Sequence, residues 1–221
     1  MPKYSNLFNF LVLVFIVIFC SLGTWQLYRL DWKKNLILEI EQGLNENPVL
    51  FNSTAIQDYK KVFLEGKYFF DKQIYLYALN DSGQPGYEVL TPFKTNIGFH
   101  VLINRGWIPN NLKNSTEINL DLNSNYKLTG ILKKHSIKNP FKPKNDINNN
   151  IWFYLDKGET SSFTKFELPD FSIILSSKQQ PSPPYLKKIT SDLPNNHLSY
   201  AITWYLISIA IMIFFLYFRK R

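Results

Sequence analysis

Two long apolar stretches bracket this chain, and short alternating runs fill the region between them. The first, Leu7 to Trp25, is interrupted by polar side chains only at Asn9, Ser21 and Thr24. That is enough for the roughly 20 helical residues that cross about 30 Å of hydrocarbon. We read it as a transmembrane helix over residues 7–25. A cleaved signal sequence would have a shorter apolar core, and no small-x-small site precedes Trp25-Gln26-Leu27. Met1 to Asn6 are too few for an Arg-rich organelle presequence, so a bacterial inner membrane is the expected address, ahead of a mitochondrial one. The second stretch, residues 198–218, ends at Arg219-Lys220-Arg221. A basic stop of this kind places the C-terminus in the cytoplasm, and two crossings bring the N-terminus to the same side. Lys3 alone is a weaker signal than Arg29, Lys33 and Lys34 across the membrane, but later C-terminal charges can set topology and a long intervening domain translocates largely regardless of charge.

Between the spans the periodicity changes twice. Leu27, Leu30, Ile37, Ile40 and Leu44 recur at helical spacing, with Arg29, Lys33, Glu39 and Glu41 between them. An amphipathic extension of the first helix is therefore expected over 26–47, ending near Gly43 and before Pro48. After Lys60, β-branched and aromatic runs alternate with turn residues, predicting strands at 61–66, 73–79, 87–95, 99–107, 126–132, 151–155 and 171–176. Asn80-Asp81-Ser82-Gly83 and Asn96-Ile97-Gly98 read as tight turns. The fold class is thus an α+β membrane protein, with two transmembrane helices flanking a β-rich extracytoplasmic domain over 48–180, a sandwich or a partly closed barrel. Pro181, Pro183, Pro184 and Pro194 make an extended strap over 181–197 that returns to the membrane.

Charge and cysteine usage narrow the function classes. The net charge is +8, of which Lys3, Arg219, Lys220 and Arg221 carry half, leaving 21 basic against 17 acidic residues elsewhere. A mildly basic domain beside anionic membrane lipid explains this, and no clustered face suggests nucleic acid. The densest basic stretch, Lys133-Lys134-His135 through Lys138, Lys142 and Lys144, reads as a solvated loop. Cys20, the only cysteine, lies inside the first span, so the domain relies on a hydrophobic core without disulfides. Covalent c-type haem attachment, which needs Cys-x-x-Cys-His, is excluded. Gly-x-Ser-x-Gly, P-loop and His-Glu-x-x-His motifs are all lacking from the sequence, so no enzyme is expected. Sequon-like triplets at Asn52, Asn80 and Asn114 are chance matches expected of an Asn-rich chain.

His197 opens the second span and on a helix shares a face with Tyr200, Ala201, Trp204 and Ser208. A neutral imidazole at the membrane surface with aromatic rings below it suits haem iron. The alternative is an interfacial aromatic belt. Trp25, Gln26 and Arg29 leave the first span at the same depth, and Arg29 is placed to pair with ligand carboxylates such as haem propionates, or with lipid headgroups. In the domain, Asn104-Arg105-Gly106-Trp107-Ile108-Pro109 joins a charge and a large aromatic at a strand end. Arg105 and Trp107 read either as core anchors or as a protein-docking surface.

Several segments together resemble the surfeit-locus protein 1 family. They are Leu22-Gly23-Thr24-Trp25-Gln26-Leu27-Tyr28-Arg29-Leu30 with Trp32-Lys33, Lys60-Lys61-Val62 with Gly66, Gly86-Tyr87-Glu88-Val89-Leu90-Thr91-Pro92-Phe93, Asn104 to Pro109, and Asn196 to Trp204. Lys60-Lys61 stands where the family commonly has arginines, and the Asn-rich loop before Trp152 has no obvious counterpart. The resemblance implies a non-enzymatic assembly factor for cytochrome c oxidase that handles haem a. Its partners would be the catalytic oxidase subunit and, as a further candidate, haem a synthase. On that reading His197 ligates the iron and Tyr200, Trp204, Trp25 and Arg29 complete the pocket, while Arg105 and Trp107 face a partner. The competing expectation is a cofactor-free scaffold that stabilises an oxidase subunit.

Overall fold

A computed structural model describes residues 6–52, 56–118, 124–136, 139–178 and 183–220. Lys3, Lys138, Pro181 and Arg221, used in the sequence reading, lie outside the described residues. The chain divides into two compact units, residues 1–41 with 190–221, and residues 42–189.

The first unit is a helix pair. α1 (Asn6–Asn45) runs unbroken through both the apolar stretch and the amphipathic stretch after it. Its end, beyond the helix pair, is closed by Lys61 Nζ donating to Leu44 O at 2.8 Å, ahead of Pro48. The second long helix, at His197–Lys220, ends on Arg219 and Lys220, cations suited to a helix C-terminus. Both are long and apolar enough to cross a membrane, and only 6% and 11% of their apolar windows are buried. So little cover sets them apart from the interior helix of a globular core and is compatible with two membrane spans.

The second unit is one mixed sheet of seven strands: β1 (Val49–Leu50), β2 (Lys61–Tyr68), β3 (Ile74–Leu79), β4 (Pro85–Thr95), β5 (His100–Pro109), β6 (Tyr126–Lys134) and β7 (Phe171–Leu175). Their order is β1-β2-β6-β7-β5-β4-β3, and β2 also pairs with β4. That extra pairing, Gly66 to Tyr68 against Phe93 to Thr95, closes five strands on themselves. The sheet is therefore a partly closed barrel, and among the described residues no second sheet is present to form a sandwich. Most neighbours are antiparallel, while β5 runs parallel to β7 and β1 parallel to β2.

Burial follows strand periodicity. In β2, Val62, Leu64, Gly66 and Tyr68 alternate inward, joining Phe93, Val101, Ile103, Leu128, Phe171 and Ile173 in the barrel interior. β4 and β5 are buried on both faces because a second layer covers them, packing Leu90 and Leu102 against Trp152 and Leu168. This layer departs from the sequence reading. Residues 151–155 form no strand; Ile151 and Trp152 make single bridges, with Trp152 N donating to Tyr75 O (3.0 Å) and Tyr77 N to Trp152 O (2.7 Å). Trp152 is fully buried, so a large side chain plugged beneath the β3 edge imitates a strand's apolar signature. The layer also holds α2 (Lys157–Thr164), which the sequence reading missed because Gly, Ser and Thr make up most of it. Its N-cap Asp156 accepts from Glu159 N at 3.0 Å, and Lys165 ends it in the left-handed conformation. We label the C-terminal helix at His197–Lys220 α3.

One buried histidine sets a pH dependence. The His135 side chain is 4% exposed, with Nδ1 3.3 Å from Asp170 Oδ1. Burial pushes its imidazole below the ordinary value of 6.5, against the opposing pull of Asp170, and burial likewise lowers His100. The unfolded chain then binds the proton more readily than the folded domain. The stability from neutral His135 is complete above pH of about 6.5 and falls as the solution is acidified below it. Denaturation midpoints measured at pH 7.5 and 5.5 are expected to drop on acidification, and to drop less in His135→Asn.

Candidate haem-handling site and its neighbourhood

The two long helices approach each other through a ladder of paired side chains. Cys20 Sγ lies 3.2 Å from Ser208 Oγ, and Thr24 Oγ1 lies 2.9 Å from Tyr205 Oη. Gly23 sits under the Tyr205 ring, where an added Cβ would lie 2.9 Å from the ring. Small residues permit this close approach, and Ala201 and Ser208 are buried on the facing side of α3. Phe19 stacks on Trp204 with ring centroids 5.6 Å apart.

His197 crowns the ladder. Its Nδ1 lies 2.7 Å from Gln26 Oε1. A carboxamide oxygen only accepts, so this contact selects the tautomer with the proton on Nδ1 and leaves the Nε2 lone pair available. Metal-binding histidines are commonly held in this way, the second ring nitrogen donating to an oxygen that fixes the ring's orientation. Gln26, which was not among the expected site residues, is buried at 9% exposure despite lying at the polar end of the span.

The other expected pocket residues divide into two groups. Trp204 stacks on Phe19 across the helix pair and is partly buried. Tyr200 and Trp25 are half exposed, at 54% and 52%, and present free aromatic surface. Arg29, one turn beyond Gln26, holds its guanidinium 4.1 Å from the Trp32 ring centroid, a cation–π contact.

Arg105 and Trp107 belong to a different setting, within the barrel. Between the pairs Glu88–Trp107 and Leu90–Asn104, β5 carries one residue more than β4, a bulge at Arg105-Gly106. Arg105 is 3% exposed. Its Nη1 donates to Gln73 Oε1 at 3.1 Å, Nη2 donates to Ile118 O, and the guanidinium packs over Phe70 at 5.0 Å and Tyr68 at 5.6 Å. Burial lowers its proton affinity and pushes the Tyr68 phenol well up. A docking contact through Arg105 is therefore corrected: the side chain is an internal strut and does not reach the surface. Trp107 is half-buried, with Nε1 donating to Ala78 O at 3.1 Å, and retains some outward surface.

A family model described as the SURF1 family matches residues 13–209. A SURF1-like protein of Rickettsia felis is 33% identical over 96% of this chain and 97% of its own length. The chain belongs to the SURF1 family. Proteins called Surfeit locus protein 1 from Gallus gallus and Homo sapiens are each 29% identical, over 95% and 90% of this chain and 74% and 73% of theirs. The match takes in the α1 segment around Gln26, the Arg105 bulge and His197 together.

In this SURF1 family member, sequence reasoning singled out His197 and missed its contact with Gln26. The available signal for Gln26 was a polar side chain at a span's end with a histidine expected at equal depth. Gln73, which braces Arg105, gave no such signal, since 32 residues separate the pair.

Proposed function

We propose that this protein is an assembly factor of a haem–copper terminal oxidase, anchored by two membrane spans with both termini cytoplasmic, and that it holds haem a for the catalytic subunit. The observation that carries the reading is the His197–Gln26 pair, which points a lone-paired Nε2 away from its orienting partner. Among the described residues no three His, Cys, Asp or Glu side chains gather as a metal site. A single imidazole would suit a metal carried in a prosthetic group such as haem better than a bare ion held by protein ligands alone. When bound, that group would supply an iron able to take a nitrogen ligand. His197 would hold it, with Gln26 keeping the ring oriented. The Tyr200 and Trp25 rings offer apolar surface, and Arg29 offers a cation for propionate carboxylates.

The cofactor-free scaffold remains as a second reading because Phe19–Trp204 and Thr24–Tyr205 already hold the helices together without a ligand. The deciding measurement is the visible spectrum and extracted haem of detergent-purified protein from cells that synthesise haem a. A stoichiometric haem a spectrum is the expected result. A colourless preparation from such cells would overturn haem handling in favour of the scaffold.

A further inference from the structure

The bulged segment of β5 also holds the chain that leads into α3. Trp107 and Tyr185 exchange both backbone hydrogen bonds, Trp107 N to Tyr185 O at 2.7 Å and Tyr185 N to Trp107 O at 2.8 Å. Gly106 lies between this bridge and Arg105 with φ +120, and a Cβ there would stand 2.2 Å from Tyr185 O. Only glycine meets both demands. Two residues past Tyr185, Lys187 donates to Glu88 Oε1. The Glu88 side chain is only 11% exposed; its other oxygen accepts from Asn104 Nδ2 at 2.5 Å, and Asn104 Oδ1 accepts from Gly106 N at 3.0 Å. Backbone bridge, glycine, amide and ion pair thus form one connected set, and each buried polar group in it finds a partner within the set.

We infer that this set is a latch that fixes the strap to the barrel, making Glu88, Gly106 and Lys187 positioning residues for His197. The part that concerns haem rests on the reading above, whereas the latch itself does not. With the latch closed, nine residues, 188–196, separate Lys187 from His197. With it open, the next backbone hydrogen bond to the sheet among the described residues is Ser176 N to Thr129 O, and 20 residues, 177–196, lie between Ser176 and His197. Effective concentration falls roughly as the −3/2 power of tether length, so opening the latch dilutes His197 opposite Gln26 by about 3-fold.

The test uses the full-length protein with Cys20→Ser and a nitroxide at Asn196→Cys. Lys187→Glu, at a half-exposed position, places like charges together and should free the label and speed protease cleavage after Lys188, with the barrel's melting transition retained. Gly106→Ala should do the same, whereas Lys187→Arg, which keeps the cation opposite Glu88, should retain the restraint. In haem-loaded protein, opening the latch should speed haem loss about 3-fold with an unchanged absorption spectrum. A label as restrained in Lys187→Glu as in the wild type, in a folded barrel, would overturn the latch. A freed label with unchanged haem loss would overturn its positioning role. A wild type that binds no haem would sink that role too, while label mobility still decides the latch.

Discussion

Replacing His197 with alanine is expected to cut retained haem by about 100-fold or more while leaving the protein inserted and folded. Losing only an outer partner of a metal ligand costs about 10- to 100-fold, and losing the ligand itself costs at least that much. The fold should tolerate the change. Alanine is a better helix former than histidine, and interhelical hydrogen bonds in membranes average about 0.6 kcal/mol, so the lost Gln26 contact is minor. The Cys20–Ser208, Thr24–Tyr205 and Phe19–Trp204 contacts all lie below it and persist. Absorbance per mole of protein, measured beside the wild type, reads the effect directly. An unchanged haem spectrum in the variant would remove His197 as the ligand, whatever else binds.

Arg105→Ala is expected to destabilise the barrel by about 3–5 kcal/mol, a figure typical of emptying a large buried site and abandoning its hydrogen bonds. Ile118 O would lose its Arg105 Nη2 donor, whereas Gln73 Oε1 would still accept from Thr91 Oγ1 at 3.1 Å. The space under Phe70 and Tyr68 would stand empty, because the barrel closes around it through the β2–β4 pairing. Domains commonly hold only about 5–15 kcal/mol in total, so a loss of this size brings the barrel near its threshold. At about 2–4 °C per kcal/mol for a domain of this size, the thermal midpoint should fall by roughly 6–20 °C. A fall of under about 2 °C would mean that the guanidinium is not a strut. Loss of oxidase assembly in an Arg105 variant is thus expected to follow from unfolding, so docking is better tested at Trp107, whose ring keeps some exposure.

Much of the barrel was legible because its strands announce themselves. Residues 61–66 and 126–132 carry the alternation and turn punctuation that a half-covered strand requires. Trp152 misled for the converse reason: a bridge of one residue and a buried indole leave the same local composition as a strand. α2 escaped because its cap is strong but its interior is poor in helix formers, so tertiary cover outweighs propensity. The family, too, was legible, through spaced segments that each carry a few unusual residues.

The chain by itself determined the two apolar helices, the strand-rich interval between them and the candidate histidine, since span length, side-chain period and residue chemistry are all local properties. Only the tertiary structure decided that Gln26 meets His197 across 171 positions, that a bulge turns Arg105 into the core, and that Glu88 receives Lys187 from 99 positions away. Those pairings arise when closing the sheet and packing the helices bring distant backbone together, and no local period encodes which partners then meet.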